Sequence, residues 1–198
     1  MKSEKIQLFN GRDLTGWKSI HGGDAKWRVE NGVLTVEPRS GNIYSEIPHG
    51  DALIHIEWLE PDMPDKVGQL KANSGIFMQG RYELQVLDSY GVENPDMHDC
   101  GGIYGQFAPL MNACKPPMTW QTYDIIFRAP RFDDAGNVTE HARVTILQHG
   151  LPIHNNCELP RACPGGLFHQ TDEVAEGPLM LQDHGDPISF RNIWMIKL

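Results

Sequence analysis

Three stretches of this chain put a carboxylate, carboxamides and imidazoles at every second position. In residues 81–88, Glu83 and Gln85 alternate with Tyr82, Leu84 and Val86. In residues 179–184, Met180, Gln182 and His184 alternate with Leu179 and Leu181, and in residues 53–59, His55 and Glu57 alternate with Ile54, Ile56 and Trp58. An extended strand sends successive side chains to opposite faces, so each stretch has one apolar face and one carrying Glu, Gln or His. On a regular strand Glu83 and Gln85 stand about 7 Å apart. A carboxylate moves protons, an imidazole titrates near neutrality and a carboxamide both donates and accepts. Brought onto one curved sheet, these faces would line a groove for acid–base chemistry on a hydroxyl-rich ligand. Trp120, Tyr104 and Tyr123 add aromatic faces able to stack on a sugar ring.

The elements that must position them read as strands. Turn chemistry at Asn10-Gly11, Gly22-Gly23, Asn31-Gly32, Ser40-Gly41-Asn42 and Gly136-Asn137 separates short alternating runs. These runs cover residues 33–36, 53–59, 75–79, 81–88, 123–128, 142–148, 179–184 and 190–196. So many short strands without intervening helices predict an all-β fold, a two-sheet antiparallel β-sandwich of the jelly-roll type. No repeat, low-complexity tract or linker divides residues 1–198, so a single domain is expected. Residues 155–177 are rich in Pro and Cys, follow neither period, and read as a long surface loop. Trp17, Trp27, Trp58 and Trp194 read as core or edge packing, Tyr82 as core, and His21, His49 and His141 as solvated turn residues.

Composition narrows the function. A chain of 198 residues with 40% hydrophobic and 22% charged residues is an ordinary globular mixture. Its net charge of −9 argues against a nucleic-acid binder, which needs a cationic surface. No stretch approaches the roughly 18 apolar residues of a membrane span. The start, Met1-Lys2-Ser3-Glu4-Lys5, lacks the apolar segment of a secretory signal, so a cytoplasmic location is expected, or a periplasmic or secreted one if a leader has been removed. Cys100, Cys114, Cys157 and Cys163 form no Cys-x-x-Cys zinc framework; two disulfides in any of three pairings and free thiols both stay open. Asp88, Glu93, Asn94, Asp96 and Asp99 make an oxygen-rich segment suited to calcium, and His98 or His184 could attract a transition metal. A divalent metal there could polarise a carbonyl. No His-Glu-x-x-His, Gly-x-Ser-x-Gly, phosphate-binding glycine loop or dinucleotide fingerprint is present, so no organic cofactor is expected.

Several longer motifs carry a resemblance. They are Leu8-Phe9-Asn10-Gly11-x-Asp13-Leu14-x-Gly16-Trp17, Asn73-Ser74-Gly75-Ile76 with Tyr82-Glu83-x-Gln85-Val86-Leu87-Asp88, and Gly102-Ile103-Tyr104-Gly105. Trp120-Gln121-x-Tyr123-Asp124 and Leu181-Gln182-Asp183-His184-Gly185 with Phe190-Arg191-Asn192-Ile193 follow in order. Together they resemble the 3-keto-disaccharide hydrolase domain over nearly the whole chain. The resemblance implies a concanavalin A-like or laminin G-like jelly roll acting on glycosides whose sugar is a ketone at carbon 3. The chain departs from the family pattern at His149-Gly150, where relatives often read Asn-Gly, and in the segment from Cys157 to Cys163.

A ketone at carbon 3 acidifies the proton on carbon 2. A base can remove that proton, the group on carbon 1 leaves, and water adds to the resulting enone. This chemistry needs a base, a donor or cation for the enolate oxygen, and a proton source for the leaving group. Glu83 is the first candidate for acid–base work, His184 the second, and Arg191 the cation. Glu57, Gln85, Tyr104, Trp120, Gln182 and Asn192 are the candidate substrate contacts. Arg191 and Asn192 alternate on one strand and share a face only if a bulge intervenes. Glu83 with Arg191 could instead be a cross-strand ion pair, and His184-Gly185 a plain strand-end turn. A retaining-glucanase site would need a second carboxyl group about 5–5.5 Å away on the same face, and Asp88 falls on the other side of a regular strand from Glu83. The rival functional classes are a non-catalytic carbohydrate-binding module and a structural laminin G-like domain.

Overall fold

Alternating apolar residues cut by Gly, Asn and Asp turns fold into strands with almost no helix. The computed structural model describes residues 4–198; Met1, Lys2 and Ser3, part of the start read for a leader, lie outside the described residues. In chain order the strands are β1 (Lys5–Gln7), β2 (Trp17–Ser19), β3 (Arg28–Glu30), β4 (Val33–Thr35), β5 (Ile43–His49), β6 (Ala52–Leu59), β7 (Ser74–Met78) and β8 (Tyr82–Val86). Then come β9 (Gln121–Arg128), β10 (Arg131–Phe132), β11 (Val138–Glu140), β12 (Ala142–Gln148), β13 (Leu151–Leu159), β14 (Gly177–Leu181) and β15 (Ser189–Lys197). The larger sheet has the order β13-β12-β9-β6-β15-β4-β3, with β1 also on β15, and the smaller sheet is β2-β5-β14-β7-β8. Strands β10 and β11 form a separate ribbon. Neighbouring strands pair antiparallel, and the two sheets make the jelly-roll sandwich that the alternation predicts.

The core lies between the sheets. Along β6, Ala52, Ile54, Ile56 and Trp58 are buried while the residues between them are partly exposed. Trp58 packs tilted against Tyr123 at 5.4 Å between ring centroids, and Tyr82 of the smaller sheet meets Phe127 of the larger at 5.7 Å. Trp17 and Trp27 are buried as expected; Trp194 lies on the outer side of the larger sheet, stacked on His55 at 4.9 Å. His49 is a correction to the reading of turn histidines. It is fully buried, with Nε2 accepting from the Gln79 amide at 3.1 Å, and burial pushes it down to about 4, so it is neutral. The four cysteines are free thiols.

Strands β7 and β8 differ from the rest: every residue of both is buried, on the outward face as well as the inward one. Two irregular segments cover them. Residues 101–104 run along the free edge of β8, where the Gln85 amide donates to the Gly102 carbonyl at 2.9 Å and the Tyr104 amide to the Glu83 carbonyl at 3.0 Å. An edge strand's unpaired backbone is thereby satisfied without adding a regular strand.

The second cover corrects the reading of residues 155–177. Strand β13 continues to Leu159, and the segment after it is a surface loop whose residues Ala162, Cys163, Gly166 and Leu167 are nevertheless buried. The Cys163 amide donates to Arg81 O and the Leu167 amide to Gly80 O, both at 2.7 Å, which pins the segment to the β7–β8 turn. Cys163 and Leu167 pack with Phe77 and Met180 in a small apolar cluster apart from the main core. Pro and Gly deny the segment any period, yet the apolar outward face of β7 makes covering it favourable.

The fit is tight. Gly166 passes so near Gly80 that a Cβ would collide with the Gly80 carbonyl oxygen. Gly166→Ala must push the segment off the turn, and a destabilisation of about 1–3 kcal/mol is expected, read as a lower urea midpoint for unfolding.

Candidate active site

Between the two covering segments, on the outward face of β8, lies a cavity of about 470 Å³. Glu83, Gln85, Tyr104, Arg161, Cys163, Gln182 and His184 line it, with Gln69, Asn73 and Gln106 completing the wall. Strand alternation explains the first two, since Tyr82, Leu84 and Val86 take the inward positions and leave Glu83 and Gln85 facing outward. Tyr104 arrives on the edge-pairing segment, Arg161 and Cys163 on the cover from β13, and Gln182 and His184 just past the end of β14.

Glu83 is 4% exposed. Its hydrogen bond among the described residues comes from the Cys163 thiol, which donates to Oε2 at 3.0 Å. Its other oxygen, Oε1, stands where residue 75 has no side chain: a Cβ at Gly75 would lie 2.6 Å from it. Burial pushes the Glu83 carboxyl up to about 7, with the thiol's hydrogen bond pulling the other way. Burial, then the charge of Glu83 and the hydrogen bond to it, push the Cys163 thiol up to about 12, so it keeps its proton. The Tyr104 phenol is raised by burial and next by the charge of Glu83.

Gln85 and Gln106 are held by their amide nitrogens. Gln85 Nε2 donates to Gln69 Oε1 and to the His98 carbonyl, each at 3.1 Å, which fixes how the amide is turned. Its Oε1 is then left buried without a partner, as are Gln106 Oε1 and Gln182 Oε1. Leaving a buried acceptor unpaired costs about 1–3 kcal/mol, so three of them around one cavity favour a ligand with hydroxyl donors. Arg161 donates to the Gly105 carbonyl, and Gln106 Nε2 donates to the Arg161 carbonyl at 3.0 Å, tying the two covers together. His184 is exposed at the rim.

Four of the residues nominated from sequence lie elsewhere. Glu57, Trp120, Arg191 and Asn192 sit on the outer side of the larger sheet, across the sandwich from the cavity. There Arg191 Nε donates to Glu57 Oε2 at 2.6 Å and Asn192 Nδ2 to Glu57 Oε1 at 2.8 Å, while the guanidinium lies 3.9 Å from the Trp120 ring centroid. The pairing of β15 with β6 shifts between Arg191 and Trp194, and Asn192 has φ 48°; this bulge lets both side chains reach one carboxylate. The expected Glu83–Arg191 ion pair does not form: Arg191 pairs with Glu57, across the sandwich from Glu83. Alternation assigns a residue to a face of its strand and leaves open which sheet that strand joins. Tyr123 is also no sugar platform: it is buried in the core and donates to the Gln85 carbonyl at 2.9 Å.

In the acidic segment, Asp88 pairs with Lys71 at 2.8 Å, and Asp96 and Asp99 accept from nearby backbone amides. Among the described residues no three His, Cys, Asp or Glu side chains are grouped closely enough to hold a metal ion. Sequence reasoning missed Gln69, Asn73, Gln106, Arg161 and Cys163. The last two lie in the aperiodic segment, and the only local signal was the glycine of Asn73-Ser74-Gly75, whose missing side chain makes room for the carboxylate.

A model of the 3-keto-alpha-glucoside-1,2-lyase-like domain matches residues 4–196. The chain belongs to that family. Among curated proteins none matches it. The crystal structure of a candidate glycosyl hydrolase from Parabacteroides distasonis is 41% identical with a TM-score of 0.89, covering 99% of this chain and 84% of that one. A second from the same organism is 21% identical with a TM-score of 0.70, over 98% and 94% of the two chains, and shares the fold. The carbohydrate-binding module CBM66 from Bacillus subtilis, 13% identical with a TM-score of 0.50 over 92% and 96%, likewise shares the fold alone.

In this 3-keto-alpha-glucoside-1,2-lyase-like domain the buried glutamate has a measurable thermodynamic signature. Its carboxyl rises from 4.5 when unfolded to about 7 when folded. The folded chain therefore binds the proton more tightly, and stability is lost as pH rises through that window. The loss is on the order of 3 kcal/mol, at about 1.4 kcal/mol per pH unit. Glu83→Gln, which cannot ionise, is expected to unfold at higher urea than the parent at about pH 8 and at nearly the same urea at about pH 4.

Proposed function

We propose that this domain cleaves glycosides bearing a ketone at carbon 3, with Glu83 as the base that removes the proton from carbon 2. The observation that carries the reading is a near-neutral carboxyl, almost fully buried, on the wall of a sugar-sized cavity ringed by unpaired glutamine acceptors. Membership of a 3-keto-alpha-glucoside-1,2-lyase-like family and the likeness to a candidate glycosyl hydrolase support activity on carbohydrate.

The chemistry follows from those groups. Glu83 takes the carbon-2 proton, and the electron pair of that C–H bond forms the enolate of the carbon-3 ketone. The enolate collapses to a carbon 1–carbon 2 double bond and expels the group on carbon 1, which leaves with a proton. Addition of water to the enone completes net hydrolysis; release of the enone would make the same step a lyase reaction. Arg161 takes the cationic role first assigned to Arg191, stabilising the enolate together with the Tyr104 phenol. His184 at the rim protonates the departing oxygen, and Gln85, Gln106 and Gln182 accept from sugar hydroxyls. No organic cofactor enters this proton balance.

The carboxylate inventory favours elimination over ordinary glycoside hydrolysis. A two-carboxylate glycosidase places its acid and its base or nucleophile roughly 5–10 Å apart across the scissile bond. Among the described residues, Glu83 is the one carboxylate lining the cavity.

A 3-keto-aryl-glucoside that releases a coloured phenol tests the reading. Turnover is expected in the parent, with kcat/KM rising with pH to a plateau and half-maximal near 7, because the base must be deprotonated. Glu83→Gln is expected to lose on the order of 10²–10⁴-fold in kcat, while Arg191→Met, on the opposite face, keeps parental turnover. A parallel arm with EDTA reads any need for a divalent metal. Binding of the glucoside without turnover would overturn the proposal in favour of a carbohydrate-binding module.

A further inference from the structure

We infer that Cys163 is a positioning residue for Glu83: its thiol holds Oε2 so that Oε1, the oxygen beside Gly75, receives the carbon-2 proton. The inference rests on the role proposed for Glu83. The two oxygens of a free carboxylate are equivalent, and a buried one that can turn about its last torsion presents either to a substrate. Here they are not equivalent. Oε2 accepts from Cys163 Sγ at 3.0 Å, and Oε1 occupies space that any side chain at residue 75 would fill.

The thiol is itself held from both sides. Its backbone amide donates to Arg81 O at 2.7 Å, and its side chain packs with Phe77, Leu167 and Met180. A donor fixed in this way sets the rotation of the carboxylate before substrate arrives, which is what a near-attack geometry requires.

A thiol suits the task because it is a weak donor. Strong or multiple donors favour the ionised carboxylate and drive its pKa down, in the extreme below about 2. A carboxylate so stabilised would be a poor base. The thiol orients Glu83 while leaving most of the effect of burial in place.

The groups that share the cavity with Glu83 or touch it come from four elements. Strand β7 presents Gly75 and Phe77, and the edge-pairing segment presents Tyr104. The cover from β13 presents Arg161 and Cys163, and the stretch after β14 presents Gln182 and His184. Of these, Tyr104, Arg161, Cys163 and His184 are titratable or charged. A change confined to the thiol leaves the other three in place, so any shift is read against a constant background.

The test compares the parent with Cys163→Ser and Cys163→Ala through the pH dependence of kcat/KM on the 3-keto-aryl-glucoside. Serine, a stronger donor, is expected to move the midpoint below the parent's; alanine, with no donor, is expected to move it above. The alanine variant should also lose on the order of tenfold in plateau kcat, as the carboxylate is no longer oriented. Midpoints and plateaus that stay parental in both variants, at parental thermal stability, would overturn the inference. If the alanine variant does not fold, the serine variant decides by the direction of its shift. Carboxyl-carbon NMR of ¹³C-glutamate-labelled protein, with the Glu83 signal identified by its absence from Glu83→Gln, reads the same titration without turnover. A Glu83→Gln variant that keeps full turnover removes the base assignment, whereas loss of turnover there with unmoved Cys163 titrations removes only the positioning role.

Discussion

The β-hairpin formed by Ser74–Met78 and Tyr82–Val86 has no face on water, and the behaviour of its outward side chains follows from that. In most antiparallel sandwiches one side of each sheet is solvated, and a glutamate there is an ordinary surface charge. Here the hairpin is covered by chain that belongs to neither sheet. Phe77 finds apolar partners, Gln85 is gripped by Gln69 and the His98 carbonyl, and Glu83 is left with a thiol. Desolvation disfavours the charged carboxylate, so a group that would be inert in water becomes one that exchanges protons near neutrality.

The outer side of the larger sheet supplies an internal comparison. It too gathers a glutamate, an asparagine, an imidazole, an aromatic ring and an arginine. Glu57 is partly exposed and bound by both Arg191 and Asn192, and His55 is bound by Asp124 at 2.6 Å. Every group there has a partner, so the cluster reads as a brace across β6, β15 and β9. Residue types alone do not separate the two clusters; pairing and burial do.

Much of this was legible in the sequence. The period of two sorted Tyr82, Leu84 and Val86 from Glu83 and Gln85, and Leu179 and Leu181 from Gln182 and His184, and each pair of outward residues does line the cavity. The period carries no information about sheet order, which is why Glu57 and Arg191 were grouped with residues on the far side of the sandwich. It is also silent where there is no period. Arg161 and Cys163 are placed by two backbone hydrogen bonds and a patch of buried apolar surface, features of tertiary assembly without a local signature. His49 shows the same limit, since a histidine beside a turn glycine gives no hint that a neighbouring segment will close over it.

The tie between Arg161 and the stretch from Gly105 to Gln106 divides the labour within the molecule. The sandwich supplies the reactive carboxylate from a rigid strand, while much of the outline of the hollow belongs to two connecting segments that meet over it. Insertions or exchanges in those segments would remodel the shape of the guest while the carboxylate stayed seated on its strand. A scaffold arranged this way can diversify in what it admits long before it changes what it does.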